Sequence, residues 1–203
     1  MQTLRSRTAA ISTLTISLPR WLQGHVARQS AALPEPAARM AWVIDAARRN
    51  VEHGSGGPFA AAVFECDSGR LVAAGVNLVP SGGLSLLHAE MLALAFAQHR
   101  CGSHDLGAPG LPAHQLVTSS EPCAMCYGAI PWSGVRQLLI GARAADAEAI
   151  GFDEGPKPRQ WRAALARRGI STVCDLHRDA ARQVLRDYAQ RGGAIYNPWQ
   201  QSS

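Results

Sequence analysis

His88-Ala89-Glu90 and Pro122-Cys123-Ala124-Met125-Cys126 are the two stretches on which the reading of this chain turns. As a pattern they give H-x-E … P-C-x-x-C. Cys123 and Cys126 are three apart, which on a helix brings both sulfurs to one face. Two thiolates and one imidazole make an ordinary zinc set and leave a fourth tetrahedral position for water. The two thiolates also cancel the double charge of the ion, which makes the site cheaper to bury. His88 and Glu90 are two apart and would diverge in mid-helix, whereas in a first turn they can converge on a point beyond the helix end. That suits a metal ligand beside a proton carrier better than two ligands. Zinc lowers the pKa of a bound water from ~15.7 toward 7, and Glu90 is placed to accept that water's proton.

Outward from the motifs, the chain alternates strand and helix signals. Residues 35–53 carry a helical stripe of Met40, Val43, Ile44, Ala47 and Val51. Gly54-Ser55-Gly56-Gly57-Pro58 breaks that helix. Phe59 to Cys66 and Leu71 to Val79 read as strands joined at the Asp67-Ser68-Gly69 turn, a hairpin. Their continuous hydrophobicity predicts a sheet covered on both faces. Residues 80–87 read as a loop. The helix from His88 to about Arg100 is apolar nearly all round and has to be buried in the core or against a second subunit. Gln115 to Thr118 is a short strand, and Pro122 fits the first turn of the helix that follows. Arg136 to Gly141 (strand), Ala144 to Ile150 (helix), Gln160 to Arg168 (helix), Ile170 to Leu176 (strand) and Arg178 to Arg191 (helix) complete the order, ahead of a tail with Ile195, Tyr196 and Trp199. The fold class expected is α/β: one three-layer α/β/α domain over residues 35–203 with a five-stranded mixed sheet, strands three to five parallel.

Composition excludes several classes. The chain has 203 residues, 47% of them hydrophobic and 17% charged, which is globular rather than disordered or membranous. No apolar run approaches the ~18 residues of a spanning helix. Of the formal +5, Arg5, Arg7, Arg20 and Arg28 stand in the first 34 residues, which hold no acid. The body is thus near neutral and shows no basic stripe for nucleic acid. Residues 1–34 read as a loosely packed basic leader. Cys66, Cys101 and Cys174 are scattered, so a disulfide framework is not indicated and a reducing, cytoplasmic setting is.

Other chemistries use parts of this pattern. A C-x-x-C opening a helix after a strand also describes a redox pair, which has no use for the upstream H-x-E. A structural zinc site would be closed by a fourth Cys or His; Cys101 and His114 are the residues that could come close in space. A non-catalytic zinc module would not need Glu90. His25, His53, His99, His104, His114 and His177 stand alone in polar or loop settings and read as surface or satisfied side chains.

Gly56-Gly57-Pro58-Phe59, His88-Ala89-Glu90, Ser120-Glu121-Pro122-Cys123-Ala124-Met125-Cys126 and Gly128-Ala129-Ile130-Pro131-Trp132 together resemble the cytidine-deaminase-like superfamily. Ala149-Ile150-Gly151-Phe152-Asp153-Glu154 is similar to its bacterial guanine deaminases. The resemblance runs from about residue 35 to 197. It implies zinc held by His88, Cys123 and Cys126, with Glu90 as the proton shuttle in hydrolysis of guanine to xanthine and ammonia. It further implies that Asn77 hydrogen-bonds the purine, that Phe59 and Trp132 pack on the base with Ala89 beside them, and that Glu154 recognises the guanine edge and aids proton transfer. Lastly, it implies a homodimer in which the C-terminal tail, with Tyr196 as the candidate, crosses to the partner's site. The chain departs from that pattern in its longer leader, its extra residues Pro198 to Ser203 and a Glu at 154 where some relatives carry Asp. Guanosine, a guanine-like amino-triazine and tRNA adenosine are the alternative substrates.

Overall fold

A computed structural model describes residues 13–197. The stretch 1–12 and the tail beyond Asn197, including Trp199, lie outside the described residues. The elements run α1 (Arg20–Arg28), α2 (Pro36–Glu52), β1 (Ala60–Glu65), β2 (Leu71–Val76), α3 (Val79–Gly82), α4 (Ala89–Cys101), β3 (His114–Ser120), α5 (Ala124–Ser133), β4 (Gln137–Ala142), α6 (Ala144–Glu148), α7 (Trp161–Ala166), β5 (Ser171–Val173) and α8 (Arg178–Gln190).

The five strands form one mixed sheet in the order β2-β1-β3-β4-β5. β1 pairs antiparallel with β2 and with β3, while β3, β4 and β5 are mutually parallel, as the sequence predicts. β1 and β2 are buried along their whole length because helices cover both faces. Alternation along each strand divides the core in two. Ala60, Ala62 and Phe64 of β1 face a cluster with Met40 and Val43 of α2 and Val184 and Leu185 of α8. Ala61 and Val63 face the opposite cluster, with Ala93, Leu94 and Ala97 of α4 and Ile130 of α5.

α4 lies against β2 and β1. Gly75 permits this: a Cβ there would strike the carbonyl of Ala89 and the backbone of Ala93, so the helix could not approach. β2 and β3 are each antiparallel to β1 and therefore point the same way, with β4 parallel to β3. The segments leaving β2, β3 and β4 emerge at one end of the sheet, and the site is built there.

Three local expectations are corrected. Residues 20–28 are not a loose leader: α1 buries Leu22 completely, stacks His25 on Trp42 (ring centroids 4.6 Å apart) and Trp21 on His53 (5.2 Å). Val79–Gly82, expected as the last strand residue and the start of the 80–87 loop, form the short α3. Pro122 does not open α5; Cys123 is its N-cap and the helix starts at Ala124. Among the described residues no helix is long and apolar enough to cross a membrane.

Candidate metal centre and active site

His88 and Cys123 occupy equivalent places, each the extended N-cap residue of a helix, α4 and α5. Their side chains therefore stand at the positive ends of two helix dipoles that face one another. Cys126 lies in the first turn of α5, where the three-residue spacing returns its sulfur to the side of Cys123. Nδ1 of His88 is 3.5 Å from Cys123 Sγ and 3.6 Å from Cys126 Sγ. Around one zinc at ~2.3 Å from sulfur and ~2.0–2.1 Å from nitrogen, a tetrahedral angle puts N and S about 3.6 Å apart. The spacing and the donor set both fit zinc. Among the described residues these three alone bring ligand atoms within 4.8 Å of one another, so neither Cys101 nor His114 closes the set. Ring Nδ1 of His114 instead lies 2.8 Å from the carbonyl of Leu106.

The charges at the site are coupled. Cys126, beside it in the same turn, holds the Cys123 pKa down at about 4, with His88 adding to the effect against the cost of burial. The same contact, together with burial and the Glu90 charge, pushes Cys126 up, so one sulfur carries the charge between the two. Burial pulls the His88 imidazole down, and the Cys123 thiolate beside it reverses the direction to a net rise. Glu90, in the first turn of α4, is 6% exposed and is driven up by burial and by Cys123. Its Oε1 accepts a bond of 3.1 Å from the Thr118 hydroxyl, and its Oε2 one of 3.4 Å from Cys126 Sγ. Thr118 carries no motif signal in sequence, and only the sheet places it under Glu90.

A cavity of about 300 Å³ opens beside the triad, at the small end of the range for ligand pockets. Phe59, Asn77, His88, Glu90, Cys123 and Glu154 line it, with Tyr196 and Asn197 of the tail. Asn77 is 2% exposed, and its Oδ1 accepts the backbone N–H of Val79 at 3.2 Å. Its amino group is thereby left for the cavity. Glu154 is 7% exposed, and its Oε2 has no partner among the described residues. Burial, helped by the Cys123 charge and opposed by Lys157, pushes Glu154 up to about 8. The loop bearing it is pinned to the second motif: Ala124 N–H donates to the Glu154 carbonyl at 2.8 Å, and Lys157 bonds Glu121 and the Pro122 carbonyl. Phe59 packs edge-on against Phe152 at 4.9 Å.

Two expected residues lie elsewhere. Trp132 is 78% exposed and sits in a shallow surface groove with Met91, Leu94 and Ala129 rather than in the cavity. α5 is apolar on all sides, so the sequence does not tell which face turns inward. Ala89 is buried against β2 and does not line the cavity. Tyr196 reaches the cavity of its own chain, where the tail is tied by Asn197 to the Asp153 N–H (3.0 Å) and the Gly151 carbonyl (2.8 Å).

Residues 35–142 match the family described as the cytidine and deoxycytidylate deaminase zinc-binding region. Guanine deaminase of Bacillus subtilis (strain 168) is 36% identical over 111 residues, 55% of this chain and 67% of that protein. The solved guanine deaminase of Nitrosomonas europaea is 50% identical, with 90% of this chain and 99% of that one covered at a TM-score of 0.85. The protein NE0047, solved in complex with 2,6-diaminopurine, is 53% identical over 91% of this chain and 97% of its own, also at 0.85. Fold, metal geometry and sequence thus agree, and the chain belongs to the cytidine and deoxycytidylate deaminase zinc-binding family as a zinc-dependent aminohydrolase.

Proposed function

We propose that the chain hydrolyses guanine to xanthine and ammonia. The observation that carries this reading is one small cavity in which Asn77 and Glu154 face the His88, Cys123 and Cys126 triad and Glu90. The motif residues serve any amino-heterocycle; Asn77 and Glu154 select the base. The Asn77 amino group is a donor for an acceptor on the purine, since its oxygen is occupied by Val79. The unpartnered Glu154 oxygen suits the N–H donors of guanine, which adenine and cytosine do not present in the same way. Phe59 supplies an apolar wall for the ring, and the tail residues Tyr196 and Asn197 narrow the cavity around a free base.

In this reading His88, Cys123 and Cys126 hold the zinc. When bound, zinc supplies a Lewis acid that lowers the pKa of water toward neutrality. Glu90, oriented at Oε1 by Thr118, takes one proton of the water and delivers it to N3 of the ring, then takes the second from the new hydroxyl at C2 and delivers it to the departing amine. Burial raises its basicity, which favours uptake of the proton. The new C2–O bond replaces the C2–N bond; of the two protons of water, one stays on N3 of xanthine and the other leaves with ammonia. Asn77 and Glu154 hold the purine edge while this happens, and Glu154 aids proton transfer.

We read residues 35–203 as the catalytic domain and 1–34 as an extension whose α1 packs on it. A homodimer is supported by the exposed Trp132, which stands over a groove lined by Met91 and the buried Leu94. Exchange of the tail would set Tyr196 against the partner's cavity in place of the intrachain position described above. Unpaired cysteines support a cytoplasmic setting. Ammonia release from guanine, guanosine, an amino-triazine and a tRNA stem-loop tests the assignment. Guanine is expected to lead, and activity on the stem-loop alone would overturn the reading.

A further inference from the structure

Asn50 lies near the end of α2, is 0% exposed and does not line the cavity. Its amino group donates to two carbonyls, that of Gly57 at 2.8 Å and that of Asn77 at 2.9 Å. Those carbonyls belong to different segments, the glycine-rich loop after α2 and the segment leaving β2, which lie side by side against the cavity. Asn50 also accepts the Ser55 N–H at its own backbone carbonyl (3.1 Å) and so closes the start of the same loop. From outside, Trp21 Nε1–H donates to Ser55 Oγ at 2.9 Å and Ser81 Oγ–H to the Ser55 carbonyl at 2.6 Å. The Asn77 N–H donates to the Phe59 carbonyl at 2.9 Å where the loop ends, and the Asn50 side chain adds the inner tie that joins the Asn77 carbonyl to the loop at Gly57.

The joint is tight. A Cβ at Gly57 would strike the Tyr196 hydroxyl and lie 3.2 Å from Asn77 Oδ1, so a shift of the Gly57 backbone displaces the Asn77 side chain. The other half of the Asn50 carboxamide has a cost: Oδ1 is buried and finds no partner among the described residues. An orphaned buried acceptor is unfavourable, and packing alone would be served as well by an apolar side chain. The two N–H donors account for an asparagine here.

We propose that Asn50 is a positioning residue that fixes Asn77 for substrate binding by clamping Gly57 and Asn77 together. This rests on the reading that Asn77 holds the substrate, and the test keeps the two separable. KM and kcat are measured for the zinc-loaded wild-type chain, Asn50→Ala, Asn77→Ala and the double variant, with thermal melts to confirm folding. Asn50→Ala is expected to raise KM by about tenfold to a hundredfold, the scale of an ångström of misplacement, with kcat changed far less. In the Asn77→Ala background it should add no further rise, because the residue through which it acts is already gone. Additive effects, or a loss in kcat at unchanged KM, would overturn the proposal. Asn50→Leu keeps the volume and removes both donors without burying a charge, and serves if the alanine variant fails to fold; a wild-type KM in Asn50→Leu would also overturn it. The wild-type chain is assayed first on a panel of bases. Turnover of another base in place of guanine would refute the proposed substrate, while the same cycle run on that base would still decide the role of Asn50.

Discussion

Replacing Glu90 by glutamine exchanges one carboxylate oxygen for an amino group in a space that already fits it. The remaining oxygen can still accept the Thr118 hydroxyl, at 3.1 Å in the native site. The new amino group stands where Oε2 lies 3.4 Å from Cys126 Sγ and can donate to that sulfur when Cys126 holds zinc as a thiolate. Burial disfavours the native carboxylate, so loss of its charge relieves a desolvation cost. Stability should therefore change by no more than about 1 kcal/mol, and His88, Cys123 and Cys126 should hold zinc as before. Catalysis should not survive. Positioned proton transfer is worth ~10²–10⁴-fold, and one carboxylate here handles both the uptake and the delivery of the proton. We expect the upper end, about 10⁴-fold in kcat, or roughly 5 kcal/mol at about 1.36 kcal/mol per tenfold. Zinc content by atomic absorption and ammonia release are measured on the same preparation. Loss of zinc together with activity would make Glu90 a ligand or a structural group, and activity within tenfold of wild type would remove it from proton transfer.

Lys157→Met breaks a pair with Glu121 in which both side chains are largely covered, 10% and 15% exposed. The cost falls between that of surface and buried pairs, about 2–3 kcal/mol, so calorimetry should show melting lowered by ~4–12 °C, with part of the loss recovered when Glu121→Gln removes the stranded charge. Leu22→Ala empties a fully buried site under α1 and should cost ~2–5 kcal/mol by denaturant titration; a change below about 0.5 kcal/mol would return residues 20–28 to the status of a loose leader. Arg178 pairs with Asp146 through both carboxylate oxygens and holds that carboxyl below its ordinary 3.8. A depressed folded pKa gives stability that is complete above the ordinary value and lost as pH falls through the folded one. Stability measured against pH should thus fall off below about pH 4 in the native chain, and Asp146→Asn should flatten that acid limb while costing ~1.5–3 kcal/mol near neutrality.

Much of the sheet is legible because its signals are local. Apolar runs such as Phe59 to Cys66 have the right length for buried strands, and glycine-rich breaks mark their ends. The metal triad is legible for a similar reason, since N-cap positions and a three-residue spacing are short-range geometry. Helix α1 is not, because its nine residues carry few apolar positions and are held by the distant partners His53 and Trp42. Nor is the direction of Trp132, which sits on a helix with no polar face to orient it. Thr118 and Asn50 are silent in sequence. Each is one polar residue among several in its element, and its meaning comes from what the sheet or loop brings within 3.1 Å of it.

The central claim is that water replaces the amino group at C2 of guanine. The zinc-loaded chain is incubated with guanine in heavy-oxygen water, and the products are identified by mass spectrometry. The account predicts xanthine carrying one heavy oxygen, with one ammonia released for each xanthine formed and no comparable turnover of adenine or cytosine. Unchanged guanine alongside efficient deamination of another base, or xanthine without the label, would contradict it.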